Sequence, residues 1–146
     1  MLKEHLTKDQ IQLKVKAADW EAAVRAGGLL LLEAGKCDPG YIEAMVRTIE
    51  KMGPYMVLAP GLALSHARPD DGVKEVGLSL ITLDTPVEFG SKANDPVHVV
   101  FSFCATDNNS HIGLLQELAS FLTNQENQQL LKTATSIDQI LDALDG

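Results

Sequence analysis

The spacing of apolar side chains changes period three times along this chain. Ile11-Gln12-Leu13-Lys14-Val15 alternates apolar and polar positions, the two-residue repeat of a half-buried strand. From Asp19 the repeat becomes helical. Trp20, Ala23, Val24, Gly27, Leu30, Leu31 and Ala34 share one side, and Gly35 suits the C-terminal stop. Asp38-Pro39 reads as an N-cap followed by proline at the first helical position. The helix it opens buries Ile42, Met45, Val46 and Ile49 and stops at Gly53-Pro54.

The strand period then returns. Tyr55–Leu58 and Leu62–Leu64 are short strands, and Val76–Leu83 is a stronger one. Val97–Cys104, entered through Asn94-Asp95-Pro96, is so apolar that it predicts a central strand covered on both faces. The last third is helical again. His111, Leu114, Leu115, Leu118 and Leu122 form one stripe, and Thr123-x-x-Glu126 and Ser136-x-x-Gln139 have the capping-box pattern that opens two further short helices. Strand, two helices, several strands and then helices give an α/β sandwich with a mixed sheet flanked by helices. No repeat or linker divides the 146 residues, so one domain is expected over 1–146.

The formal net charge is −8. That argues against a nucleic-acid partner, which needs clustered Lys and Arg, and against an anionic membrane surface. Cys37 and Cys104 are far apart and form no CxxC, so free, buried thiols in a reducing compartment are expected. No secretory segment is visible in Met1–Thr7, and the longest apolar run, Gly27–Leu32, is far short of the ~20 residues of a membrane span. The expected location is cytoplasmic, with no membrane insertion.

Candidate chemistry rests on the histidines. His5 lies in a terminus expected to fray, and His98, inside the best strand, reads as a hydrogen-bonded structural residue. His66 ends the apolar run Leu62-Ala63-Leu64-Ser65 and is followed by turn formers, which holds an imidazole at the rim of a core. There it can serve as base, metal ligand or covalent nucleophile. His111 opens its helix after the polar loop Thr106–Ser110, where unpaired N–H groups attract an anion; capping its own helix is the plainer role. A zinc site lacks further ligands at the right spacing, and no HExxH exists. No GxSxG elbow supports Ser65 or Ser110 as a hydrolase nucleophile, and no glycine fingerprint indicates a nucleotide. The remaining reading is phosphoryl chemistry. His66 takes the group, His111 bonds its oxygens, and Arg68 is either a nearby cation or a solvated loop residue.

Pro60-Gly61-Leu62-Ala63-Leu64-Ser65-His66-Ala67-Arg68-Pro69 resembles the active-site signature of the mannitol/fructose-type enzyme IIA domains of the bacterial sugar phosphotransferase system. Gly53-Pro54-Tyr55, Gly72-Val73, Asn94-Asp95-Pro96-Val97, the Asp107–His111 loop and the ending Ile137–Leu141 are most similar to the ascorbate-type branch. The resemblance covers nearly the whole chain. It implies that His66 is the phosphorylated residue and His111 its assistant. It also implies that the histidine-containing phosphocarrier protein is the donor and a cysteine of a cognate EIIB the acceptor. The membrane component EIIC is then linked only indirectly, and no sugar, metal, nucleotide or other cofactor is bound. Ser65 stands where the family usually has proline, which either loosens the turn before His66 or gives the site an extra hydroxyl. Arg47 lies near, but not at, the place of the family's helix arginine and is left unassigned. A regulatory phospho-switch of the nitrogen type, sharing the fold, is the alternative.

Overall fold

The computed structural model describes residues 2–107 and 112–145. In chain order the elements are α1 (Leu2–His5), β1 (Ile11–Val15), α2 (Trp20–Glu33), α3 (Pro39–Met52), β2 (Val57–Ala59) and β3 (Leu62–Ser65). They continue with β4 (Gly77–Val87), β5 (Val97–Cys104), α4 (Ile112–Thr123), α5 (Gln125–Thr133) and α6 (Ile137–Asp145). The strands form one sheet in the order β1-β4-β5-β3-β2. β1 lies parallel to β4 and β3 parallel to β5, whereas β4–β5 and β2–β3 are antiparallel. The expected α/β sandwich with a mixed sheet is therefore the architecture found.

β5 sits at the centre because both of its faces are apolar. Val100 and Cys104 pack toward α2 and α3 with Val24, Leu31, Tyr41, Met45 and Ile81. Val99, Phe101 and Phe103 pack on the other face with Leu78, Leu80, Leu114, Leu118, Leu131 and Ile140. A fully buried large apolar side chain stabilises by about 1.5–3 kcal/mol, whereas an exposed ion pair such as Lys3–Asp145 contributes about 0–1 kcal/mol. The two apolar layers, not surface charge, set the arrangement.

α2 approaches closely on two sides. A Cβ at Gly28 would lie 2.9 Å from Ile42 and Met45 of α3, and one at Gly27 would collide with Ser102 Oγ of β5. The Ser79 hydroxyl donates to the Gly27 carbonyl across the same gap at 2.8 Å. The helix starts at Asp19, whose carboxylate accepts from Ala22 N–H at 2.9 Å. α3 has Pro39 in its first turn and stops at Gly53, with φ of 83°.

Several boundaries differ from the sequence reading. β2 begins at Val57 rather than Tyr55, and β4 runs on to Val87. The cap of α5 is Asn124, which accepts from Glu126 and Asn127 N–H, because Thr123 spends its hydroxyl on Ser120 O in the last turn of α4. The return half of the second box is made, with Gln139 Oε1 accepting from Ser136 N–H at 3.0 Å. The N-terminal end is packed, not frayed: α1 buries Leu2, and the adjoining Leu6 is also buried. His5 therefore loses water, and its pKa is lowered first by burial and then by Lys36.

Candidate active site

The pairing of β3 with β5 ends at Ser65–Ser102. His66 is the next residue, and the chain then turns through Arg68 into a single 3-10 turn, Pro69–Asp71. This abrupt end of an apolar strand leaves His66 half-buried on the wall of an open hollow of about 680 Å³. One wall comes from the last turns of α3, with Thr48, Lys51 and Met52, and from Tyr55. The other is Ala67, Arg68 and Pro69.

The imidazole is held on two sides. Nδ1 lies 3.2 Å from the Leu64 carbonyl. A carbonyl only accepts, so in the neutral ring Nδ1 carries the proton and Nε2 the lone pair. The Tyr55 ring meets His66 edge to face, with centroids 5.7 Å apart and planes at 80°, a favoured aromatic geometry.

The sign of the site is positive although the protein is acidic. Lys51 and Arg68 both border the hollow. Arg68 is 86% exposed and only loosely paired, its Nε 3.9 Å from Asp71. Thr48 donates its hydroxyl proton to Ala44 O at 2.7 Å, so toward the hollow it offers an acceptor. Arg47 is exposed and is not on the wall.

Ser65 requires a correction. Successive strand residues point to opposite faces, and Ser65 is the one that points inward. It is fully buried, with its hydroxyl donating to Met45 Sδ at 3.3 Å. It gives the hollow no donor. Leu62 and Leu64, the large apolar residues just before His66, pack against the cluster beneath α4, α5 and α6. The large apolar side chains beside His66 are Met52, 67% exposed, and Tyr55, 41% exposed.

The other candidates stand apart from this hollow. His98 is the second residue of β5, and its backbone N–H donates to Gly61 O at 2.8 Å. Its ring packs against Gly61, where a Cβ would lie 3.0 Å from Cδ2. It makes no ring hydrogen bond among the described residues, so packing rather than the expected hydrogen bond fixes it. Its pKa is lowered by burial and secondarily by Lys132. His111 lies outside the described residues. Cys37 and Cys104 are free and buried, and burial pushes their thiols up to about 11 and about 12. Nucleophilic cysteine chemistry needs the thiolate, which burial disfavours at both positions. No three metal-binding side chains cluster among the described residues, and no described helix is long and apolar enough to cross a membrane.

Thr48, Lys51 and Tyr55 were not singled out from the sequence. Lys51 and Thr48 are three apart on one helix and so share a face, a signal that gains meaning only once that face is known to look at His66.

Residues 4–146 match the family model described as phosphoenolpyruvate-dependent sugar phosphotransferase system, EIIA 2. The ascorbate-specific PTS system EIIA component of Escherichia coli strain K12 is 37% identical over 147 residues, covering 99% of this chain and 95% of that one. The solution structure of the mannitol-specific cryptic phosphotransferase enzyme IIA CmtB from Escherichia coli superposes with a TM-score of 0.88 at 33% identity, covering 98% and 97% of the two chains. The complex of enzyme IIAMTL and phosphorylated enzyme IIBMTL from Escherichia coli gives a TM-score of 0.84 at 29% identity, covering 96% of each.

Proposed function

The chain belongs to the EIIA type 2 family of the phosphoenolpyruvate-dependent sugar phosphotransferase system, a phosphotransfer component, and on that premise we propose that His66 carries the phosphoryl group. The observation that supports this most is the state of the ring. Nδ1–H is tied to Leu64 O, so the lone pair is on Nε2, and the ring borders a hollow flanked by Lys51 and Arg68.

The donor is the histidine-containing phosphocarrier protein. Nε2 of His66 attacks its phosphorus, the new N–P bond forms, the donor's N–P bond breaks, and the electron pair returns to the donor imidazole. The His66 ring then carries positive charge while Nδ1 keeps its proton, and the Leu64 carbonyl faces that proton. Lys51 and Arg68 offset the charge on the transferring oxygens, where catalysis is mainly positioning and electrostatics. His111 assists by bonding those oxygens, a role supported by the family resemblance. In the second step a thiolate of a cognate EIIB attacks phosphorus, and the bond to Nε2 breaks. The neighbour seen with phosphorylated IIB supports EIIB as acceptor, and the relative named ascorbate-specific supports ascorbate-type uptake. Met52 and Tyr55 offer apolar surface beside His66 on which either partner excludes water.

Phosphoenolpyruvate, enzyme I, the phosphocarrier protein and this chain are mixed, and the label is located by mass spectrometry under non-acidic conditions. An acid-labile phosphate on His66, absent from His66→Ala, is expected. A folded wild-type protein that takes no label overturns the proposal.

A further inference from the structure

Tyr41 is fully buried and reaches the backbone of Ala67, a wall residue of the hollow. Its hydroxyl accepts from the Ala67 backbone N–H at 2.9 Å and sits 2.7 Å from the Phe103 carbonyl. A phenol has one proton. The Phe103 carbonyl is its nearer acceptor, the Ala67 carbonyl being 3.3 Å away. Burial pushes the phenol pKa up, so that proton is retained at neutral pH.

The placement has a structural meaning. The β3–β5 ladder ends at Ser65–Ser102, one residue before His66. Past that point strand pairing no longer fixes the chain. The Tyr41 hydroxyl spans the gap, taking the amide just after His66 and giving its proton to the carbonyl just after Ser102. One side chain of α3 thus supplies the rung that the backbone lacks. His66 is then pinned on both sides, by its own ring bond to Leu64 O before it and by Tyr41 at Ala67 after it.

The geometry points to Tyr41 as a positioning residue for phosphoryl transfer, fixing the His66 imidazole against the end of β5 without touching the phosphoryl group. This inference rests on His66 being the acceptor. A rigid nucleophile matters because misplacement by about 1 Å costs as much as a hundredfold in rate. Tyr41→Phe keeps the ring and its packing and removes only the bridging oxygen.

The test compares wild type with Tyr41→Phe in steady-state transfer from the phosphocarrier protein. The expected result is a fall in kcat of about tenfold or more with KM for the donor within twofold. A structural role alone lowers the folded fraction and leaves the ratio of these constants per folded molecule unchanged. A folded Tyr41→Phe with wild-type kcat overturns the inference. Two measurements decide the matter independently of transfer. In unphosphorylated wild type the Ala67 amide should exchange slowly despite lying in a loop, and exchange at the open-chain rate contradicts the bridge even if the variant does not fold. Nitrogen spectra of the His66 ring should show one tautomer in wild type and a mixture in Tyr41→Phe, and identical spectra contradict the positioning role. If wild type accepts no phosphoryl group, the acceptor assignment fails and these two readings alone judge Tyr41.

Discussion

The parallel strands β3 and β5 carry a histidine near each end, and the two ends are built differently. At the carboxyl end, His66 follows the last ladder pair and borders the hollow. One ring nitrogen is spoken for by Leu64 O, and two cations stand nearby. At the amino end, His98 lies inside β5 with its ring against Gly61. A smaller hollow of about 160 Å³ opens at that end too; its walls include Gly61, Leu62, Val99, Leu131 and Lys132, but His98 is not among them. A histidine and a hollow at the same strand end therefore do not make a site. What distinguishes His66 is that ring, hollow and cations coincide, and that a polar scaffold fixes the ring's proton.

Exchanging the two histidines' fates breaks this comparison most sharply. His66→Ala should lower phosphoryl acceptance by more than about a thousandfold, while His98→Ala stays within about twofold per folded molecule. Acceptance assayed with the phosphocarrier protein checks both. Comparable losses in the two variants would erase the distinction.

The cations come next. Lys51→Ala should slow transfer by about tenfold, ~1.4 kcal/mol of lost charge stabilisation. Arg68→Ala should do less, because the Arg68 charge is partly offset by Asp71, 3.9 Å from its Nε, and is 86% exposed to water and salt. Arg47→Ala, off the wall, should leave the rate unchanged. Single-turnover rates at low and moderate salt read all three.

Gly61→Ala sharpens the contrast in stability rather than chemistry. Gly61 has φ of 77°, and a Cβ there would press on the His98 ring at 3.0 Å. The variant should lose about 1–2 kcal/mol in denaturant unfolding while transfer per folded molecule is preserved. A loss of transfer without loss of stability would tie the two ends together.

The smallest effect is in pH dependence. The folded-state pKa of His98 lies below the ordinary histidine value. Between those two values the unfolded chain binds more protons, so this contribution to stability is complete above the ordinary value and is lost as pH falls toward the folded one. His98→Asn should flatten the decline in stability from about pH 7 to about pH 5. A residual slope is expected because the pKa of His5 is lowered in the same direction.

Much of this was legible in the sequence because period and breakers are local. Val97–Cys104 announced a strand covered on both faces, and Asp38-Pro39 and Gly53 bounded α3. His66 was legible because an apolar run stops at it. The identity of its neighbours was not. Lys51 and Thr48 reach the hollow because the last turns of α3 pack beside it, and Tyr55 because the chain turns there after Gly53; close approach of α2 at Gly28 helps set the packing of α3. Of the two roles open to Ser65, the extra hydroxyl is the one its burial against Met45 does not support, and adjacency to His66 in sequence hides that the two residues face opposite ways. Nothing in the apolar spacing marks Tyr41, and only the end of the β3–β5 ladder shows what its hydroxyl replaces.

The most direct test of the account is the nitrogen to which phosphorus is bonded in phosphorylated His66, read by nitrogen–phosphorus coupling in the labelled protein. With Nδ1–H held by Leu64 O, the phosphoryl group should be found on Nε2. A phosphate on Nδ1, or on any residue other than His66, contradicts the account.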